Sequence, residues 1–195
     1  MASPPVDIPA KLEIDELLER NRAYAASTHK SLPPLMNILG GDAKKNGPHI
    51  VVVSCLDSRA NPYEVLGFKP YEIICIRNVS GRVTPALIDI ATLDAFFHIN
   101  QIIVLHHTNC GVTHLTPERG LNDLLSKCPD LTPKQAQYAK ELSPIRSDDD
   151  NWLKADLKIL RETPYLRKEI AESAVGLYLD VKTGLVREVN DRTLI

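Results

Sequence analysis

Val51-Val52-Val53-Ser54-Cys55-Leu56-Asp57-Ser58-Arg59 closes a run of β-branched residues with a thiol, a carboxylate and a guanidinium. From Ile50 to Ser54 every position is apolar or small, without the polar alternation of a strand that has one face in water. The run therefore reads as a strand covered on both faces, the kind found in parallel sheets. If the backbone stayed extended through Arg59, then Cys55, Asp57 and Arg59 would point the same way. One face would then carry thiol, acid and base.

Two further short apolar runs, Ile73 to Ile76 and Ile102 to Leu105, repeat the pattern. Between them a helix is expected from Pro85 to Ile99, with Pro85 in its first turn and Ile88, Ala91, Ala95 and Ile99 on one stripe. Strand, helix and strand in that order make a parallel crossover. Farther on, Gly111 to Leu115 and Pro117 to Cys128 read as short helices. Asn151 to Glu162 forms a helix with Leu153, Leu157 and Leu160 on one side, and Asp148-Asp149-Asp150 reads as its cap. Val175 to Val181 and Leu185 to Val189 flank Lys182-Thr183-Gly184, a hairpin signal. Upstream, a helix over Ile14 to Ala26 aligns Ile14, Leu17, Leu18 and Ala25, and either packs on its own core or lies on a partner subunit. From His29 to Pro48 the chain is irregular apart from a turn near Leu35 to Leu39. The fold class expected is α/β, a mainly parallel central β-sheet flanked by helices with an antiparallel C-terminal hairpin at its edge. It forms one domain over residues 1–195.

Composition narrows the function. The chain has 195 residues, 44% hydrophobic, with a net charge of −2, enough to bury a sizeable core. Lys and Arg are scattered rather than gathered into a stripe, which argues against a nucleic-acid partner, and no polybasic amphipathic helix suggests a membrane surface. No apolar run approaches the roughly 20 residues of a membrane-spanning helix. Residues 1–10 are proline-rich and read as a disordered tail rather than a targeting signal. Cys55, Cys75, Cys110 and Cys128 are too dispersed for a disulfide framework, so a reducing, cytoplasmic setting is expected.

The second chemical cluster is His106-His107-Thr108-Asn109-Cys110-Gly111, at the end of the third apolar run. In an open parallel sheet, ligands bind beyond the carboxyl ends of the strands, where Cys55 and His107 both fall. Cys55, His107 and Cys110 together make a Cys2His set able to hold zinc with a fourth position open, and His106 stands beside His107 as another candidate ligand. Taken singly, each of these residues is as easily explained by core packing. A cysteine-dependent phosphatase is excluded, because its loop between Cys and Arg is longer than Cys55 to Arg59.

Cys55-Leu56-Asp57-Ser58-Arg59 resembles the Cys-x-Asp-x-Arg signature of the β-class carbonic anhydrases, and His107-Thr108-Asn109-Cys110 resembles their His-x-x-Cys. Arg77-Asn78 also matches, and the His-His-Thr-x-Cys-Gly form is most similar to the compact microbial branch, which includes carbonyl sulfide and carbon disulfide hydrolases. Val79-Ser80 departs from the usual Ala-Gly, which bears on pocket shape. The resemblance implies one zinc ion per chain, held by Cys55, His107 and Cys110, with His106 behind the site. It implies hydration of CO2 to bicarbonate by zinc-bound hydroxide, with Asp57, held by Arg59, orienting the hydroxide. The resemblance further implies Asp57 as a possible fourth ligand in a closed state. Carbonyl sulfide or carbon disulfide hydrolysis at the same zinc, or a zinc-binding structural or regulatory module without turnover, are the alternatives. Partners implied are the small-molecule substrate and further copies of the chain, as a homodimer or dimer of dimers with residues 11–28 on the partner subunit. His114 reads as a solvated helix position, Cys75 as a core thiol and Cys128 as a surface thiol.

Overall fold

A computed structural model of the chain describes residues 11–29, 33–128, 130–141 and 148–189. The tail expected over residues 1–10 lies outside these. The chain divides into two compact units, one ending at Gly41 and the other beginning at Asp42. The first contains helices α1 (Ile14–Ser27) and α2 (Leu35–Ile38). Asp15 and Glu16 sit in the first turn of α1, at the positive end of its dipole. No residue of α1 is buried, and Ile14, Leu17, Leu18 and Tyr24 are all exposed.

The second unit holds the sheet. Its elements in order are α3 (Ala43–Asn46), β1 (Ile50–Cys55), α4 (Pro62–Val65), β2 (Ile74–Asn78), α5 (Leu87–Phe97), β3 (Gln101–His107), α6 (Pro117–Lys127), α7 (Pro133–Glu141), α8 (Asp150–Glu162), α9 (Lys168–Glu172), β4 (Val175–Leu179) and β5 (Val186–Val189). The strands form one five-stranded sheet in the order β2-β1-β3-β4-β5. β1 pairs in parallel with both β2 and β3, β3 pairs in parallel with β4, and β5 returns antiparallel to β4 through the hairpin. This is the expected architecture.

Burial explains the apolar runs. Val51, Val52 and Val53 of β1 and Ile102, Val104 and Leu105 of β3 are fully buried, as strands flanked on both faces must be. The second apolar run, Ile73 to Ile76, differs, because β2 lies at the sheet edge and is mostly half-buried. Helix α8 presents Leu153, Leu157 and Leu160 to the core as expected. It sits so close to β4 that a Cβ on Gly176 would come within 2.9 Å of Leu157 Cδ1 and 3.1 Å of Leu153 Cγ.

The inner face of α5 is not the stripe expected. Ile90 and Phe97 are buried, whereas Ile88 is 61% exposed. Apolar residues run almost all the way around this helix, so periodicity cannot choose a face. The helix also ends before Ile99, at left-handed His98 (φ 57°), which breaks the phase. No sequence pattern marks helices α3, α4, α7 and α9. Three of them span only 4 or 5 residues, too short for a helical period to register.

Arg167, just before α9, anchors the turn between α5 and β3. Its Nε and Nη2 each donate to Asp94 at 2.8 Å, Nη2 also reaches Ile99 O at 2.9 Å, and the Ile99 amide donates to Asp94 Oδ1 at 2.8 Å. The Arg167 guanidinium holds the Asp94 carboxyl below its usual range. Since the folded-state pKa is depressed, this stabilisation is fully present above the unfolded carboxylate value and is lost as pH falls through the folded one. Asp94→Asn should therefore lower stability to urea at pH 7 by about 1–2 kcal/mol, allowing for the partial exposure of Arg167. The difference from the wild type should shrink below about pH 4. A difference independent of pH would show that the ion pair is not its source.

Candidate metal centre

Because β1 and β3 pair directly and in parallel, with Ser54 opposite Leu105, their carboxyl ends lie side by side. Cys55 is the last residue of β1 and His107 the last of β3. The chain then turns through Asn109, whose left-handed φ of 53° is one that Asn tolerates, and Cys110 follows. Cys55, His107 and Cys110 are buried, and each offers a ligand atom within 4.8 Å of the others. Among the described residues this is the one cluster of Cys, His and acidic groups that can hold a metal ion.

The donor set fits zinc. The two sulfurs lie 3.7 Å apart. A disulfide would require about 2.0 Å, whereas two sulfurs each about 2.3 Å from a tetrahedral zinc lie about 3.8 Å apart. His107 Nδ1 is 2.9 Å from Thr108 O, and since a carbonyl only accepts, Nδ1 carries the proton. The lone pair of the neutral imidazole is then on Nε2, oriented as metal-ligating histidines are through their other nitrogen. The two thiols hold their protons unequally. The hydrogen bond between them raises Cys55 and lowers Cys110, and His107 adds to the lowering of Cys110. Backbone N–H groups of Asp57 and Ser80 favour charge on the Cys55 sulfur, and that of Val112 does so for Cys110.

Ser80 belongs to a turn that must press against β1. A Cβ on Gly81 would lie 2.7 Å from Cys55 N and 2.9 Å from Ser54 C, so only glycine allows the approach. Asn78 closes this turn, donating from Nδ2 to Arg82 O at 2.8 Å and accepting from Arg82 N at 2.9 Å.

Asp57 and Arg59 meet, but not through strand alternation. β1 ends at Cys55, and Asp57 caps a short helical turn over Ser58–Ala60 by accepting from Arg59 N at 2.9 Å. The Arg59 side chain folds back to grip the same carboxylate, Nε to Oδ1 at 3.0 Å and Nη2 to Oδ2 at 2.6 Å. This pairing lowers the Asp57 pKa to about 2. Arg77 fixes the main chain beneath, donating to Cys55 O at 3.1 Å and Asp57 O at 2.6 Å.

Sequence reasoning passed over several residues that touch the site. Arg59 also donates to Asn109, from Nη1 to Oδ1 at 3.1 Å and from Nη2 to the main-chain O at 3.0 Å. The Asn109 amide donates to Asp148 Oδ2 at 2.7 Å, and Tyr178 OH donates to Asp148 Oδ1 at 2.7 Å. The acidic run read as a cap thus divides three ways. Asp149 caps α8 through Asn151 N, Asp150 pairs with Arg187, and Asp148 holds Asn109.

Behind the site, His106 hydrogen-bonds through Nε2 to Asp156 Oδ2 at 3.1 Å, in keeping with the role expected for it. Asp156 projects from α8 with its side chain fully buried. It accepts from Arg82 Nε at 2.9 and 3.0 Å and from Val83 N at 3.3 Å, while Trp152 lies 4.6 Å from the Arg82 guanidinium. A buried acid on the polar side of a leucine helix is the signal that could have marked this network. His114 and Cys128 are exposed, and Cys75 is half-buried in the edge strand β2.

Fold and site together define an α/β protein with a cluster of two thiols and an imidazole, able to hold a metal ion, at the carboxyl end of its parallel strands. A family model described as carbonic anhydrase matches residues 50–186, and the chain belongs to the β-carbonic anhydrase family. β-Carbonic anhydrase 1 of Mycobacterium tuberculosis is 29% identical over 176 residues, covering 90% of this chain and 96% of its own length. The carbon disulfide hydrolase of an Acidianus species is 28% identical over 197 residues, covering 91% and 89%. In fold, the chain is similar to the crystal structure of a Streptococcus mutans carbonic anhydrase, with a TM-score of 0.69 at 24% identity over 93% of this chain and 100% of that one.

Removing the acid behind the site would strand a buried cation. Asp156→Ala should cost about 3–5 kcal/mol in urea unfolding, because Arg82 is left without its partner. Asp156→Asn, which keeps an acceptor, should cost less. Fluorescence of Trp152, the single tryptophan, reports the change directly. Equal stability of Asp156→Ala and the wild type would show that the cluster contributes nothing to the fold.

Proposed function

We propose that the protein is a zinc-dependent carbonic anhydrase that converts CO2 and water to bicarbonate and a proton. Cys55, His107 and Cys110 hold the zinc, and Asp57, braced by Arg59, acts beside it. The observation that carries this reading is the convergence of two thiols and a correctly oriented imidazole next to a carboxylate already committed to a guanidinium. When bound, zinc supplies Lewis acidity that makes hydroxide available from water near neutral pH.

The remaining chemistry belongs to the chain. Arg59 keeps Asp57 ionised throughout the neutral range, so its carboxylate can only accept hydrogen bonds. An acceptor at this place would take a hydrogen bond from the O–H of the attacking hydroxide and so turn its lone pair toward the substrate carbon. Arg77 holds the Asp57 carbonyl, so the backbone beneath the carboxylate is fixed. The buried strand ends keep bulk water from the thiols.

A second reading, hydrolysis of carbonyl sulfide or carbon disulfide to hydrogen sulfide and CO2, is favoured by one observation. The chain is almost as similar to a carbon disulfide hydrolase as to a carbonic anhydrase. We further propose a homodimer in a reducing, cytoplasmic compartment, with the exposed apolar face of α1 lying on the partner. Sedimentation velocity should then report twice the chain mass, and a single-chain mass would refute the dimer. No helix among the described residues is long and apolar enough to cross a membrane.

Purified protein should contain one zinc per chain, and Cys110→Ser should lose it; metal retained after that substitution would remove Cys110 from the ligand set. Asp57→Ala should keep the metal and slow CO2 hydration by roughly 10–100-fold. Stopped-flow CO2 hydration and hydrogen sulfide release from carbonyl sulfide, measured on one preparation, decide the substrate. Hydrogen sulfide release without hydration would favour the second reading, and neither activity would sink both.

A further inference from the structure

We propose that Asn109 is a positioning residue that holds the Arg59 guanidinium on Asp57, and thereby keeps the Asp57 carboxylate turned away from the metal position. This rests on the reading of Cys55, His107 and Cys110 as zinc ligands. By itself the Asp57 to Arg59 pair is a weak restraint. The Arg59 side chain is 46% exposed, so solvent screening and the entropy of holding a long side chain in one geometry both work against the pair. Such a pair would not keep a long, flexible side chain in one place against a nearby dication that competes for the same carboxylate.

The guanidinium is held on two sides. One edge forks onto Asp57, at 3.0 Å from Nε and 2.6 Å from Nη2. From the other side Asn109 presents two acceptors, its side-chain Oδ1 at 3.1 Å and its own carbonyl at 3.0 Å. Asn109 presents both oxygens from a left-handed backbone, at φ 53°. Its amide is tethered in turn to Asp148, which Tyr178 of β4 holds through the other carboxylate oxygen. Arg59 therefore ties the turn after β1 to the turn after β3. Asp57 has correspondingly little freedom. Arg77 secures its carbonyl at 2.6 Å, so only the side chain can move when Arg59 lets go. The attraction it would then feel is toward the cation between the three ligands, where it would occupy the fourth position.

The test uses cobalt(II)-loaded protein. Near-ultraviolet thiolate-to-metal absorption reports the ligands, and azide titration of the visible bands reports whether a position is open. Asn109→Gly keeps the left-handed backbone and the carbonyl but removes Oδ1, and Asn109→Ala provides a second variant with a different backbone preference. Each should retain the thiolate band and bind azide roughly 10–100-fold more weakly than the wild type. Adding Asp57→Ala to either should restore wild-type azide affinity, because the obstructing carboxylate is gone; general loosening of the turn would not be rescued this way. Unchanged azide affinity in both variants, or a loss that Asp57→Ala does not restore, overturns the proposal while leaving the metal site intact. Absence of the thiolate band in wild-type protein overturns the metal site and this proposal with it.

Discussion

The direct parallel pairing of β1 with β3 is the constraint on which the site depends. Cys55 and His107 are 52 positions apart in sequence, yet each ends its strand, and strands paired in register end together. Both strands are buried on both faces, so neither can slip by a residue without carrying Cys55 or His107 out of place and exposing valine or isoleucine. Hydrophobic burial thus sets the spacing of the donor atoms before any metal contributes. Gly81 adds the last restriction by letting the turn after β2 approach Cys55 closely enough for the Ser80 amide to reach the sulfur.

Three arginines then connect elements that the sheet only brings near one another. Arg77 bonds the end of β2 to the carbonyls of Cys55 and Asp57, Arg59 spans the turns after β1 and β3, and Arg82 runs from the turn after β2 to Asp156 of α8. Arg77 and Arg59 use the planar, several-donor geometry that a lysine lacks, each reaching its acceptors through more than one nitrogen, while Arg82 shares its Nε between both oxygens of Asp156. The exposed one, Arg59, depends most on having acceptors on both sides. The buried one, Arg82, depends on its carboxylate, since a desolvated cation with no partner is costly.

Legibility varied with the kind of signal. Long apolar runs gave the strands, and the leucine period gave α8, because burial imposes a pattern on many residues at once. Helix α5 had its existence but not its inner face in the sequence, since a stripe is invisible where nearly every position is apolar. Helices α3 and α9 were shorter than the period that would reveal them. The grouping of Cys55, His107 and Cys110 was legible because thiol and imidazole side chains are few and their spacing is distinctive. Asn109, Asp148 and Asp156 were not, because polar residues of these types are common and mean something only through what they touch.

By itself the sequence determined that buried strands end in Cys55 and His107, that Cys110 follows at a spacing able to close on the same ion, and that Asp57 and Arg59 stand beside Cys55. These are local facts, set by residue type and separation along the chain. Only the tertiary structure decided that Arg59 turns back onto Asp57 through a capped turn, that Asn109 shares its guanidinium, and that consecutive aspartates serve a helix end, an arginine and the site. A hydrogen bond depends on distance and angle in space, and residues from four different elements meet here in an order that no local pattern records.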